Sequence, residues 1–172
     1  VQVLEDVDAV AVAAAGLLAE QVRRRPDAVL GLATGATPEA TYAELVRLHR
    51  EEGLSFARVR SVNLDEYEGL DGDCEQSYRH YMQQQLFDSI DIRPWNALLP
   101  DGTAVDVAAE CRAYEERIRA LGGVDLWLTG IGTNGHIAFN EPGSAVDSRT
   151  RLVDLSKATV EINSRLFAAA DQ

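Results

Sequence analysis

The sequence holds no apolar run approaching the roughly 18 residues that a bilayer-spanning helix requires. Its apolar stretch from Val7 to Val22 is broken by Asp8, Gly16, Glu20 and Gln21, so membrane insertion is not expected. Cysteine is scarce. Cys74 and Cys111 lack CxxC spacing, which removes a disulfide framework or zinc ribbon and makes a reducing cytoplasm the simplest location. Positive charge is also in deficit: 16 Lys and Arg against 28 Asp and Glu leave −12 at pH 7. That field repels polyanions, and nucleic acid is a poor partner. A small anion stays admissible, because a local cradle of amide groups with one or two cations outweighs a distant field that salt screens. Proline is limited to 5 residues against 13 Gly, with 46% hydrophobic and 26% charged residues. This is the composition of a globular protein, not of a collagen, a coiled coil or a disordered chain. Repeats, low-complexity tracts and linkers are missing too, and the 172 residues read as one domain, 1–172, able to bury a core.

What is present alternates between strand and helix patterns. Asp6 precedes Val7, Val10, Ala11, Ala14, Leu17, Leu18 and Val22 at helical spacing, with a stop at Arg23-Arg24-Arg25-Pro26. The three arginines complement the helix dipole and are read as solvated, without a functional role. Ala28 to Leu32 is a short apolar run of the kind buried on both faces of a sheet. Thr37 and Pro38 then supply an expected N-cap and first helical residue, before Tyr42, Leu45, Val46 and Leu48. A second strand is expected at about Val59 to Leu64, helices at Ser77 to Ile90 and Val105 to Leu121, and a third strand at Val124 to Thr129. A short helix from Lys157 to Ala169 follows. The order implies an α/β fold with a mostly parallel sheet flanked by helices.

Three polar segments follow the three expected strands, and ligands in open α/β sheets bind beyond the carboxyl ends of strands. Thr34-Gly35-Ala36-Thr37 combines small residues, hydroxyls and a helix start, features that favour a phosphate or carboxylate. It is not a Walker A motif. Asp65 and Glu66 end the second strand and must point to opposite faces, so at most one can serve the cleft; the plain structural alternative for either is to cap a turn or pair with an arginine. His136 lies in the glycine-rich loop after the third strand, while His49 and His80 fall on helices. An imidazole with an ordinary pKa near 6.5 suits proton transfer, and Asn140 and Glu141 follow closely enough to orient it. His136, Glu141 and Asp65 make a poor metal set, so acid/base chemistry is the preferred reading over a metal.

Three longer segments carry a family resemblance: Leu32 to Pro38 (LATGATP), Asn63 to Leu70 (NLDEYEGL) and Gly130 to Pro142 (GIGTNGHIAFNEP). Together they resemble the glucosamine-6-phosphate deaminase family. The likeness continues through Ser77-Tyr78, Glu110 to Glu115, Ser148 to Arg151 and Asn163 to Arg165, from about residue 28 onward. It implies a modified Rossmann-like fold of the deaminase, ribose-phosphate isomerase and CoA-transferase-like type. It also implies conversion of glucosamine 6-phosphate and water to fructose 6-phosphate and ammonia, with a sugar phosphate as ligand and neither cofactor nor metal. In that family reading His136 assists ring opening, Asp65 moves a proton from C2 to C1, and Glu141 pairs with His136. Thr34, Gly35, Ala36 and Thr37 surround the phosphate together with Arg165.

Two departures stand out. Some family members carry a carboxylate where this chain has Asn134, which hydrogen-bonds but holds no negative charge; this is read as a tuning change. Family members also run some tens of residues further, so the resemblance implies a chain incomplete at its C-terminus. Val153 stands two positions beyond Arg151 where allosteric members have a basic residue, which implies no activation by N-acetylglucosamine 6-phosphate. A galactosamine-6-phosphate isomerase or 6-phosphogluconolactonase is the near rival, and a non-catalytic sugar-phosphate sensor the distant one. Oligomeric state is open, with a homo-oligomer admitted.

Overall fold

The computed structural model describes residues 1–163. Its elements are α1 (Val7–Arg24), β1 (Val29–Leu32), α2 (Glu39–Glu52), β2 (Arg60–Asn63), α3 (Tyr78–Gln85), β3 (Ala97–Leu98), α4 (Val107–Ala120), β4 (Leu126–Trp127) and α5 (Lys157–Asn163), with 3₁₀ turns at Phe87–Ser89 and Pro94–Asn96. The four strands form one sheet in the order β3-β2-β1-β4, and every pairing is parallel.

Strand periodicity divides the core. Leu30 and Leu32 join Leu18, Val22, Tyr42, Leu45 and Met82 on the face covered by α1, α2 and α3. Val29 and Val62 meet Tyr114 of α4 on the other face. A strand buried on both sides needs apolar residues at successive positions, as Val29–Leu32 provides. Full burial of each such leucine or valine stabilises by about 1.5–3 kcal/mol. Gly31 has a different duty. A Cβ there would meet the Trp127 ring at 1.8 Å, so its bare backbone lets the β4 indole lie across β1.

Several expectations are corrected. The buried stripe of α1 is Ala11, Ala15, Leu18, Ala19 and Val22, whereas Val7, Val10 and Leu17 are exposed; the helix turns small residues toward α2, allowing close approach. The arginines at its end are not simply solvated: Arg23 pairs with Glu52, Arg24 bonds Gln21, and Arg25 pairs with Asp125. Helix α2 starts one residue late, with Pro38 at the cap position and its carbonyl accepting the Tyr42 N–H. Proline has no side-chain acceptor to cap with, so φ restriction alone sets the entry. The expected helix from Ser77 to Ile90 stops at Gln85 and tightens into a 3₁₀ turn. Strand β3 was not expected, since two paired residues carry no readable periodicity. The portion of the last expected helix beyond Asn163 lies outside the described residues.

Candidate active site

The chain leaves β1, adds β2 and β3 on one side, then returns to place β4 on the other side of β1. The crevice between β1 and β4 is thus a topological switch point, where loops diverge and leave room for a ligand. A cleft of about 500 Å³ opens there, lined among others by Thr34 to Thr37, Asp65, Gly132 and His136. That volume suits a small metabolite.

The first wall is the loop after β1. Gly35 adopts φ +100°, a conformation that glycine reaches without steric cost. The loop's carbonyls are held from behind: Tyr42 of α2 donates its hydroxyl to Ala33, and Tyr81 of α3 donates to Gly35 at 2.6 Å. The N–H groups of Gly35, Ala36 and Thr37 have no backbone partner among the described residues. Unpaired amides beside the first turn of α2 form a cradle for an anion.

Asp65 and Glu66 part as the end of a strand demands. Asp65 lines the cleft. Burial, reinforced by the neighbouring Glu66 charge, raises its pKa to about 7, which poises a carboxyl group between base and acid near neutrality. Glu66 turns away and caps α3. Its Oε1 accepts the N–H groups of Tyr67 and Tyr78 at 2.9 Å, and its Oε2 accepts Arg79 N–H at 3.0 Å. Ser77 adds the ordinary cap, accepting from His80 N–H at 3.0 Å.

His136 sits in a tight turn closed by Gly132 N–H to the His136 carbonyl at 2.8 Å and Gly135 N–H to the Gly132 carbonyl at 2.9 Å. Its imidazole lies against Gly132, where a Cβ would approach Cε1 and Nε2 to 2.3 Å. Two residues on, Ala138 holds φ 53°, an uncommon conformation for a residue with a side chain. Phe139 then packs against Tyr67 and Tyr78, with ring centroids 5.1 and 5.7 Å away. Those rings tie the histidine loop to the Asp65 loop and to α3.

The expected direct pairing of Glu141 with His136 is replaced by a longer path. Thr159 of α5 donates its hydroxyl to Glu141 at 2.5 Å and lies 3.5 Å from His136 Nδ1. Glu141 also accepts Ser156 N–H at 3.1 Å and the Asn134 amide at 2.7 Å, while Asn134 Oδ1 accepts the His136 N–H at 3.1 Å. The Thr159 hydroxyl first, then the Ser156 and Asn134 donors, hold the Glu141 carboxyl down to about 2, so it is ionised at neutral pH. Asn134 therefore bridges Glu141 to the backbone of the histidine turn.

The structure brings Thr34, Gly35, Ala36, Thr37, Asp65 and His136 to one cleft, with Asn134 and Glu141 behind His136. Arg165 lies outside the described residues. Sequence reasoning missed Thr159 and Tyr81, and it left Glu66 with a choice between a turn cap and an arginine partner. Thr159 carries no motif. The cap that Glu66 makes reaches a helix 12 positions away, a distance no local pattern encodes. Tyr81 bonds a loop 46 positions earlier, beyond the reach of any helical spacing. Among the described residues no cluster of three or more His, Cys, Asp or Glu side chains offers a metal site. No helix among them is long and apolar enough to cross a membrane.

A parallel α/β sheet here places an amide cradle, a carboxyl and an imidazole at its switch point, an arrangement of the class that can hold a small anion and exchange protons with it. Residues 5–163 match the model of the family described as glucosamine-6-phosphate isomerases/6-phosphogluconolactonase, and the chain belongs to that family. It is 54% identical over 159 residues to a glucosamine-6-phosphate deaminase of Bacillus velezensis, covering 92% of this chain and 66% of that protein. Among solved structures, a monomeric glucosamine-6-phosphate deaminase superposes with a TM-score of 0.93 at 48% identity, over 94% of this chain and 67% of that one. The 6-phosphogluconolactonase of Thermotoga maritima superposes with 0.65 at 25% identity, over 78% of this chain and 61% of that one. The chain spans about two thirds or less of the length of the curated relatives it matches.

Proposed function

We propose that the protein of which this chain forms the sheet and cleft is a glucosamine-6-phosphate deaminase, converting glucosamine 6-phosphate and water to fructose 6-phosphate and ammonia. The observation that carries this reading is the placement of Asp65 and His136 on the same cleft as an amide cradle for phosphate. The phosphate would rest on Gly35, Ala36 and Thr37 N–H groups with the Thr34 and Thr37 hydroxyls nearby, and Arg165 as its cation. His136 would carry a proton to the ring oxygen, opening the sugar. Asp65, as carboxylate, would take the C2 proton and return it at C1. This leaves an imine at C2 whose hydrolysis by water releases ammonia. Glu141 acts through Thr159 and Asn134 on the placement of His136, and no step calls for a metal or an organic cofactor. Similarity to a deaminase described as monomeric supports a reading in which the cleft works without a second subunit.

The direct experiment measures ammonia and fructose 6-phosphate from glucosamine 6-phosphate, with galactosamine 6-phosphate and 6-phosphogluconolactone in parallel. Equimolar release of both products from the gluco substrate is the expected result. Binding without release favours a sensor, and hydrolysis of the lactone alone favours the lactonase branch.

Gly132 offers a second check on the assignment. An added methyl group there meets the imidazole at 2.3 Å, and the ring must move while the backbone keeps its turn. Gly132→Ala is expected to lower turnover by about tenfold to a hundredfold and to leave the thermal midpoint nearly unchanged. Full turnover in this variant would show that the His136 position is not set by Gly132.

A further inference from the structure

The loop after β1 has more support than an anion cradle needs for shape alone. Tyr81 projects from α3 to the cleft wall, and its hydroxyl donates to the Gly35 carbonyl at 2.6 Å. In a trans peptide the carbonyl of one residue and the N–H of the next point in opposite directions. Holding the Gly35 carbonyl toward α3 therefore aims the Ala36 N–H away from α3. That N–H, like those of Gly35 and Thr37, has no backbone acceptor among the described residues.

We infer that Tyr81 is a positioning residue for the phosphate group, its hydroxyl fixing the Gly35–Ala36 peptide so that the amide and not the carbonyl faces the anion. This rests on the reading of Thr34 to Thr37 as the phosphate cradle. Charge makes the arrangement matter. The chain carries −12, and Glu39 lines the same cleft, so the surrounding field opposes a phosphate and binding depends on local dipoles aimed at it. A Gly35 carbonyl released from its donor would turn toward the cleft and add a repelling partial charge. Gly35, at φ +100°, has the backbone freedom to make that turn. Burial raises the Tyr81 pKa well above the usual tyrosine value, which keeps the hydroxyl a donor across the working range of pH. Tyr42 secures the preceding Ala33 carbonyl in the same manner, so the loop is anchored at two alternate peptides.

Tyr81→Phe removes the donor and keeps the ring. The test titrates inorganic phosphate, at constant ionic strength, into the isotopically labelled full chain and follows the amide signals of Gly35, Ala36 and Thr37. Saturable shifts are expected in the parent chain, with the phosphate Kd raised about fivefold to tenfold by Tyr81→Phe. In turnover the same variant should raise KM by a similar factor and keep kcat within about twofold. Tyr81→Gln, which returns an amide donor, should recover part of the loss. A parent chain whose loop signals do not respond to phosphate overturns the cradle reading itself. A responding parent with the same Kd in Tyr81→Phe, or a variant that loses only thermal stability, overturns the role of Tyr81 and leaves the cradle standing.

Discussion

Replacing Asp65 by asparagine is expected to lower turnover by two to four orders of magnitude, the usual contribution of a positioned general base, while making the folded protein more stable above neutral pH. The two effects share one cause. Burial and the Glu66 charge raise the Asp65 pKa to about 7 from the ordinary carboxyl value of 3.8. The folded state then holds a proton that the unfolded chain has lost, and between about pH 4 and 7 stability falls as pH rises. The full penalty is present above 7. A shift of this size corresponds to roughly 1–4 kcal/mol, the lower end applying when water enters the cleft. The Asp65→Asn side chain cannot ionise and escapes it. Melting curves of the two proteins should therefore coincide near pH 4 and separate as pH rises, with the variant the higher melting at pH 8. In the parent protein, kcat/KM should fall on the acid side through a pKa of about 7, because on the proposed route only the carboxylate accepts the C2 proton. Equal melting at pH 8, or an acid limb well below 7, would mean that Asp65 is solvated and not tuned as described.

His136→Gln is expected to lower turnover by about two to three orders of magnitude with little change in phosphate affinity. Glutamine fills much of the same space over Gly132 and still hydrogen-bonds, but it does not carry a proton to the ring oxygen. The loss should therefore appear in kcat and spare the cradle. Supplying the substrate in its open-chain form should restore part of the rate, since ring opening is the step assigned to His136. A variant with parental kcat, or one unaffected by the form of substrate supplied, contradicts that assignment.

The parts of this architecture that could be read from sequence are those with strong periodicity or a small set of compatible residues. Val29 to Leu32 is legible because a doubly buried parallel strand admits little but apolar side chains. Asp65 is legible because it stands two residues past β2, and His136 because the glycine-rich run beyond the third expected strand sets it apart from His49 and His80. Strand order is not, since the parallel pairing of β1 with both β2 and β4 depends on crossovers whose lengths carry no neighbour information. Helix faces are legible only in part: alanines on α1 proved to be the buried residues, and larger Val7, Val10 and Leu17 remained outside. Tyr81 and Thr159 stayed hidden for a related reason. Each makes its contribution through one hydroxyl across a large gap in sequence, 46 positions in the case of Tyr81 and Gly35, and single hydroxyls leave no pattern.

The two halves of the cleft differ in how far the polypeptide must search to build them. The loop after β1 and Asp65 just past β2 belong to one contiguous β1-to-β2 stretch, whereas His136 arrives only when β4 zips onto β1, Leu30 meeting Leu126. Loop closure over such a span is slower and entropically dearer than closure within the crossover. Assembly thus has a natural order: Asp65 can settle beside the loop after β1 through local closure, and His136 meets them only once β4 has paired with β1.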